Sequence, residues 1–262
     1  MDASREESRI PTAALGATIF AALFVTHFPL LRLPYFWDEA GYYVPAARDL
    51  WLTGSLIPHS TPSNAHPPLV MAYLALAWRV FGYSSLVTRT AMLGVATFAL
   101  LGIFRLAKQI ANTEVAIAST ACTAIYPVFF SQSSMAHVDL AAAALIFWGL
   151  LAYVSEKKLQ AAVWFSLAAL AKETAVIVPG ALFGWEILRP FLRDHKFSWK
   201  STALATPVVP LAVWYAYHYS RTGYVFGNPE FFRYNVQGTL QPLRIVLALL
   251  MRLWQAFGYL SL

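Results

Sequence analysis

The sequence predicts an all-α protein, a polytopic transmembrane helical bundle with amphipathic interfacial helices in its first external loop. Three observations predict it. Hydrophobic residues make up 58% of the 262 positions and charged residues 12%, where a soluble domain carries about 25% charged residues. The apolar residues fall into long uncharged blocks, each near the roughly 20 residues that cross a hydrocarbon core. The short connections between several blocks are basic, as the cytoplasmic loops of membrane proteins are.

Taken in order, the polar leader 1–9 precedes an apolar block at 11–31 that lacks a small-residue cleavage site, so it reads as a retained first span. Further blocks follow at 67–81, 86–104, 115–130, 138–154, 159–171, 174–188, 202–217 and 243–262. No internal repeat and no soluble domain is visible, so residues 1–262 read as one transmembrane module. Cys122 stands alone, which rules out an intrachain disulfide, and within an apolar stretch it reads as a small buried hydrophobe. The net charge of +6 does not imply nucleic acid, because basic residues in a membrane protein set orientation or meet lipid phosphates.

Charge then orients the chain. Arg5 and Arg9, Arg105 and Lys108, Lys157 and Lys158, and Arg189, Arg193, Lys196 and Lys200 are all assigned to the cytoplasm. With the N-terminus inside, one crossing must return the chain from residue 31 to Arg105, yet two apolar blocks intervene. The block at 67–81 is the shorter and begins with two prolines; at 1.5 Å per residue it covers only about 22 Å. It therefore reads as a helix at or dipping into the outer interface, and 86–104 as the second span. Each later block crosses once. The outward segments are then 32–85, 131–137, the Lys172–Glu173 tip and 218–242.

The external loop 32–85 holds the densest polar signal. Asp38 and Glu39 follow Tyr35, Phe36 and Trp37 just beyond the first span. Tyr42, Tyr43, Ala46, Ala47 and Leu50 recur at helical spacing, with Arg48 and Asp49 on another face. His66 precedes Pro67 and Pro68 at a rigid helix start. The acidic pair reads either as solvated interfacial charge, with Arg48 as partner, or as a general base beside a second carboxylate. Asp139 leads an uncharged span, either as a carboxylate favoured by the helix dipole or as a site residue. Asp38, Glu39, His66, His137 and Asp139 form an oxygen- and nitrogen-rich set able to hold a divalent cation; the weakly expected ligands are Glu39, His66 and Asp139. Lys172 interrupts some thirty apolar residues and reads as paired with Glu173 or, preferably, as meeting a lipid phosphate. Arg221 and Arg233 lie among Tyr217, Tyr219, Tyr224, Phe226, Phe231, Phe232 and Tyr234, as phosphate ligands or interfacial anchors.

In this order the residues resemble the GT-C superfamily of integral membrane glycosyltransferases, in particular the bacterial glycosyltransferase family 39 type, which includes protein mannosyltransferase-like enzymes and the aminoarabinose transferase of lipid A. The likeness is carried by Trp37-Asp38-Glu39 with Tyr42 and the Ala47-Arg48 helix, His66-Pro67-Pro68-Leu69 running to Phe81-Gly82, Arg89, Asp139, and Leu170-Ala171-Lys172. It implies transfer of a hexosyl or pentosyl group from a polyprenyl-phosphate donor to a hydroxyl on a lipid, glycan or protein, usually with inversion, on the periplasmic or external face of the cell membrane. It implies Asp38 as catalytic base, Glu39 as its acidic neighbour, Asp139 as second active-site acid and Lys172 as donor-phosphate ligand. The candidate substrate-binding set is His66, Lys172, Arg48, Arg89, Arg221 and Tyr42. Asp139 lacks the proline that often follows it, and Glu173 stands where glycine is common. Relatives are often longer, so the chain reads as a truncated form or as the conserved transmembrane module. A transporter or flippase, commonly built from paired repeats with polar residues at mid-membrane, is the rival reading, with an inactive scaffold as another.

Overall fold

The computed structural model describes residues 11–192, 198–233 and 237–258. Arg5, Arg9, Arg193, Lys196, Tyr234 and the side chain of Phe231 lie outside the described residues. Everything regular in the described chain is helical.

Helix α1 (Thr12–His27) is uncharged and passes through a 3₁₀ turn, Phe28–Leu30, at Pro29. A π-turn at Glu39–Tyr43 leads into α2 (Val44–Thr53), whose Pro45 sits in the first turn and whose end is set by left-handed Gly54. α3 (Leu69–Phe81) starts after the two prolines and buries Val70, Met71, Leu74, Ala75 and Trp78 along one stripe. Its 13 residues cover about 20 Å.

α4 (Ser85–Ile110) is the long axis of the bundle. Ser84 caps it by accepting from the Val87 N–H at 3.2 Å. It packs against α1, α3, α5 (Thr113–Ile125) and α7 (Val138–Val154). The apolar block at 115–130 is broken: Pro127 has no N–H to donate, so α5 stops at Ile125 and a short α6 (Pro127–Gln132) begins. Cys122 is exposed on α5 and faces outward, a correction to the buried position expected from its apolar neighbours.

α7 and α8 (Lys158–Ala171) pack closely, through Ala141, Ala142, Gly149 and Ala152 on one side and Ala161, Phe165, Ala168 and Ala171 on the other. Small residues let helix backbones approach closely where burial gives no water-driven force. At Gly149 a Cβ would stand 2.5 Å from the ring of fully buried Phe165, so only glycine fits. A 3₁₀ turn, Glu173–Val176, then feeds α9 (Ile177–Leu192), a second turn covers Trp199–Ala205, and α10 (Val208–Thr222) follows. The short α11 (Pro229–Phe232) and the amphipathic α12 (Pro242–Phe257), which carries Arg244 and Arg252, complete the described chain.

Three helical stretches, Thr12–Leu30, Ser85–Ile110 and Glu173–Leu192, are long and apolar enough to cross a membrane, and α3, α5, α7 and α8 are shorter apolar helices. This is a helical membrane bundle. Its two ends differ. At one, Arg105 donates to Thr12 Oγ1 and Lys158 Nζ bonds Glu186 at 2.9 Å and Ser201 at 2.8 Å, joining α8, α9 and the second 3₁₀ turn. At the other stand the start of α4, the start of α7, the end of α8 and the end of α10.

Replacing Gly149 by alanine is expected to destabilise the bundle by about 1–3 kcal/mol through overpacking against Phe165, seen as a lower unfolding temperature in detergent. Adding Phe165→Leu in the same chain should recover part of the loss.

Candidate active site

Trp37 begins the site. Its φ of 50° is rare for a bulky residue, and its side chain is 85% exposed. The Gly41 N–H donates to the Trp37 carbonyl at 2.8 Å, and the chain continues into a wide π-turn closed by the Val44 N–H to the Glu39 carbonyl. Successive residues of such a turn point in different directions, and the acidic pair is split accordingly. Asp38 is exposed and Glu39 is fully buried.

Glu39 meets Arg89 of α4, its Oε2 at 3.2 Å from Nη2 and its Oε1 at 3.4 Å from Nη1, and Oε1 also accepts the Ala136 N–H at 2.7 Å. Arg89 is equally engaged. It donates to the carbonyls of Pro34 at 2.9 Å, Ser134 at 3.2 Å and Leu33 at 3.3 Å, and lies over the Tyr35 ring. Thr88 beside it binds the Tyr35 hydroxyl at 2.7 Å and accepts from Trp78 Nε1 at 2.9 Å. The base of the 32–85 loop is thereby joined to α3, α4 and the 134–136 segment.

The remainder of the loop is held as firmly. Asp49 Oδ2 accepts the N–H groups of His59 at 2.6 Å and Ser60 at 2.7 Å and the Ser60 hydroxyl at 2.9 Å. Partial burial pushes the Asp49 carboxyl up, but these hydrogen bonds outweigh it and hold the pKa below the usual value. From the other side, α10 supports the 63–65 strip. His218 Nε2 lies 2.8 Å from Ser63 Oγ, Trp214 Nε1 donates to the Ala65 carbonyl at 2.8 Å, and the Asn228 N–H donates to the Ser63 carbonyl at 2.9 Å. Gly227 makes that approach possible, with φ 84° and only 3.0 Å between an added Cβ and the Ser63 carbonyl oxygen.

This framework brings four distant segments to one place. Lys172 and Glu173 diverge as the backbone passes from α8 into its 3₁₀ turn. Lys172 Nζ donates to Asp139 Oδ1, at the head of α7, while Glu173 Oε2 lies 2.8 Å from His66 Nδ1. His66 in turn stacks on Tyr43 with ring centres 5.9 Å apart, and His137 reaches the Tyr43 ring at 5.7 Å. Burial raises the Tyr43 phenol pKa, and the charges of Asp139, Asp38 and Glu173 add to it; Tyr43 therefore stands among all three acids. Tyr42 is pushed up to about 12, chiefly by burial, against hydrogen bonds to Ser63 and Asn64. Both phenols stay protonated donors at neutral pH.

A cleft of about 560 Å³ opens here, lined by Asp38, Gly41, Tyr42, Tyr43, Thr61, Pro62, Asn64, His66, Asn228 and Glu230, within the roughly 300–1,000 Å³ typical of ligand sites. Asp38 has no hydrogen-bonding or ionic partner among the described residues. Of the residues singled out in the sequence, Asp38, His66 and Tyr42 line the cleft, and Asp139 and Lys172 adjoin it as a pair that is 61% and 25% exposed. Glu39 and Arg89 lie behind it, each spent on the other. Arg48 and Arg221 are exposed and take no part in the lining. Glu173 as the partner of His66, and Tyr43, Asn64, Asn228 and Glu230, were not legible: Glu173 reads as the neighbour of Lys172, and Tyr43 as one apolar position of a helix face.

The residues do not fit the cation expected of Glu39, His66 and Asp139. Glu39 is turned to Arg89, His66 to Glu173 and Asp139 to Lys172, and among the described residues no three His, Cys, Asp or Glu side chains gather as a metal site.

A family model described as dolichyl-phosphate-mannose-protein mannosyltransferase matches residues 65–217, more than half of the chain. The match takes in His66, Arg89, Asp139 and Lys172 and begins after Asp38 and Glu39. No curated protein and no solved structure matches the chain.

Arg89→Ala is expected to cost about 3–5 kcal/mol, because it strands the buried Glu39 carboxylate. The measurement is the folded fraction after detergent extraction and its unfolding temperature. The double variant Arg89→Met/Glu39→Gln should be more stable than Arg89→Ala.

Proposed function

The chain belongs to the dolichyl-phosphate-mannose-protein mannosyltransferase family, and from that premise we propose that it moves a sugar from a polyprenyl-phosphate-linked donor to a hydroxyl acceptor, with Asp38 as general base. One observation carries the assignment of the base. Glu39 faces Arg89, Asp139 faces Lys172 and Glu173 faces His66, whereas Asp38, which with Asp139 and Glu173 surrounds Tyr43, opens onto the cleft without a basic partner among the described residues. A base needs a free lone pair within reach of the proton it takes.

In the proposed step the acceptor oxygen attacks the anomeric carbon as its proton passes to Asp38. The bond from that carbon to the donor phosphate oxygen breaks, and polyprenyl phosphate leaves with the electron pair. A single displacement inverts the anomeric centre. Lys172 meets the negative charge growing on the phosphate, exchanging Asp139 for it, and Asp139 holds the ammonium in place beforehand. His66 presents Nε2 to the same region, with its ring fixed by Glu173 at Nδ1 and by Tyr43 beneath. Glu39 and Arg89 set the backbone from which Asp38 projects.

The short connections support an active site facing away from the cytoplasm. Arg105 and Lys108, Lys157 and Lys158, and Arg189 and Lys200 cluster in or beside short connections at the end opposite the cleft, the pattern of cytoplasmic loops, while Arg48, Arg79, Arg221 and Arg233 are spread through the longer segments of the cleft end.

Asp38→Asn should lower sugar transfer by about 10²–10⁴-fold while the protein elutes as wild type on size exclusion. Transfer is measured in vesicles with a radiolabelled polyprenyl-phosphate sugar, and an unchanged rate would remove Asp38 from the role. Lys172→Ala should lower kcat by about 10²-fold in the same assay.

A further inference from the structure

We infer that the cleft beside Asp38 is the acceptor subsite, and that it takes an uncharged, hydroxyl-rich carbohydrate. The inference rests on the glycosyltransferase reading and goes beyond it in naming the acceptor class. No Lys or Arg lines the cleft, while two carboxylates, Asp38 and Glu230, do. The remaining basic group in the lining, His66, faces Glu173 with Nδ1. A phosphate or other anion entering there would meet two like charges, and such juxtaposition rejects a ligand strongly. The phosphate of the donor has its own cation in Lys172, which pairs with Asp139 outside the cleft lining. The two halves of the site thus differ in sign.

The lining chemistry suits sugar hydroxyls. Glu230 and Asp38 accept from O–H groups, Tyr42 offers a phenol that stays protonated, and Thr61 and Asn64 add polar edges. Peptides are generally bound along a strand edge or by apolar side-chain pockets. Among the described residues there is no strand, and the lining holds no aliphatic side chain besides Pro62.

The test uses the full chain in lipid nanodiscs and ligand-observed NMR with three probes: methyl α-D-glucopyranoside, glucose 6-phosphate and an uncharged serine-containing hexapeptide. The glucoside should bind about tenfold more tightly than the phosphate ester. Glu230→Gln should narrow that preference several-fold by improving the ester, and Glu230→Asp should restore it; a merely structural role for Glu230 would weaken both ligands alike. Equal or tighter binding of the phosphate ester, or binding of the peptide alone, overturns the inference. Donor turnover in the same nanodiscs separates the two readings: turnover without glucoside binding sinks the acceptor class and leaves the transferase standing, whereas loss of both sinks both.

Discussion

Glu39 and Arg89 are removed from water together, at 0% and 3% side-chain exposure, 50 residues apart in sequence. Desolvating two such ions costs several kcal/mol each, and their mutual attraction offsets this only when the remaining donors and lone pairs are also satisfied. Here they are: Arg89 donates to three backbone carbonyls and Glu39 accepts a backbone N–H. The pair therefore does more than attract. It fixes the exit of the first helix, the start of α4 and the approach to α7 relative to one another, and the first and last of these segments carry Asp38 and Asp139.

From that anchor the other acids are sorted by where a basic side chain can reach them. Lys172 and Glu173 are neighbours in sequence, but extended backbone at Lys172 sends one to Asp139 and the other to His66. The result is two ion pairs across the mouths of three helices, with Tyr43 packed between them. A free carboxylate in such company is conspicuous. Asp38 is kept free by the same left-handed turn at Trp37 and π-turn at 39–43 that bury its neighbour. Backbone strain at a bulky residue is tolerated where the surroundings over-determine it, and such strain clusters at functional sites.

The sequence already told much of this and missed the rest for identifiable reasons. The helical bundle was legible in the uncharged blocks, and the gathering of Asp38, His66, Asp139 and Lys172 at one end followed from the positions of basic connections and the parity of crossings. Partner choice was not legible. Arg89 looks, in sequence, like any charge opening a span, and only the fold shows that its guanidinium is consumed by Glu39. Nor could the facing of apolar residues be read: in a membrane, lipid is as apolar as the core, so the inside–outside contrast that would have placed Cys122 on the exposed face of α5 is absent. The break at Pro127 was written plainly, since a proline there removes one backbone donor, but it was masked by the unbroken hydrophobicity around it.

Rigidity is what joins these parts into a site. A general base gains little unless the acceptor is held at hydrogen-bonding distance, and a displacement of about 1 Å can cost a hundredfold in rate. The loop bearing Asp38 has no regular structure between Gly54 and Leu69, yet it is fastened at Asp49, at Ser63 and at Ala65, the last two by α10. His218 is well suited to its part: fully buried, it spends Nδ1 on the Tyr224 carbonyl at 2.7 Å and turns Nε2 to Ser63, so neither nitrogen is left without a partner. A helix that looks from its sequence like one more apolar segment is the wall against which the 63–65 side of the cleft is braced.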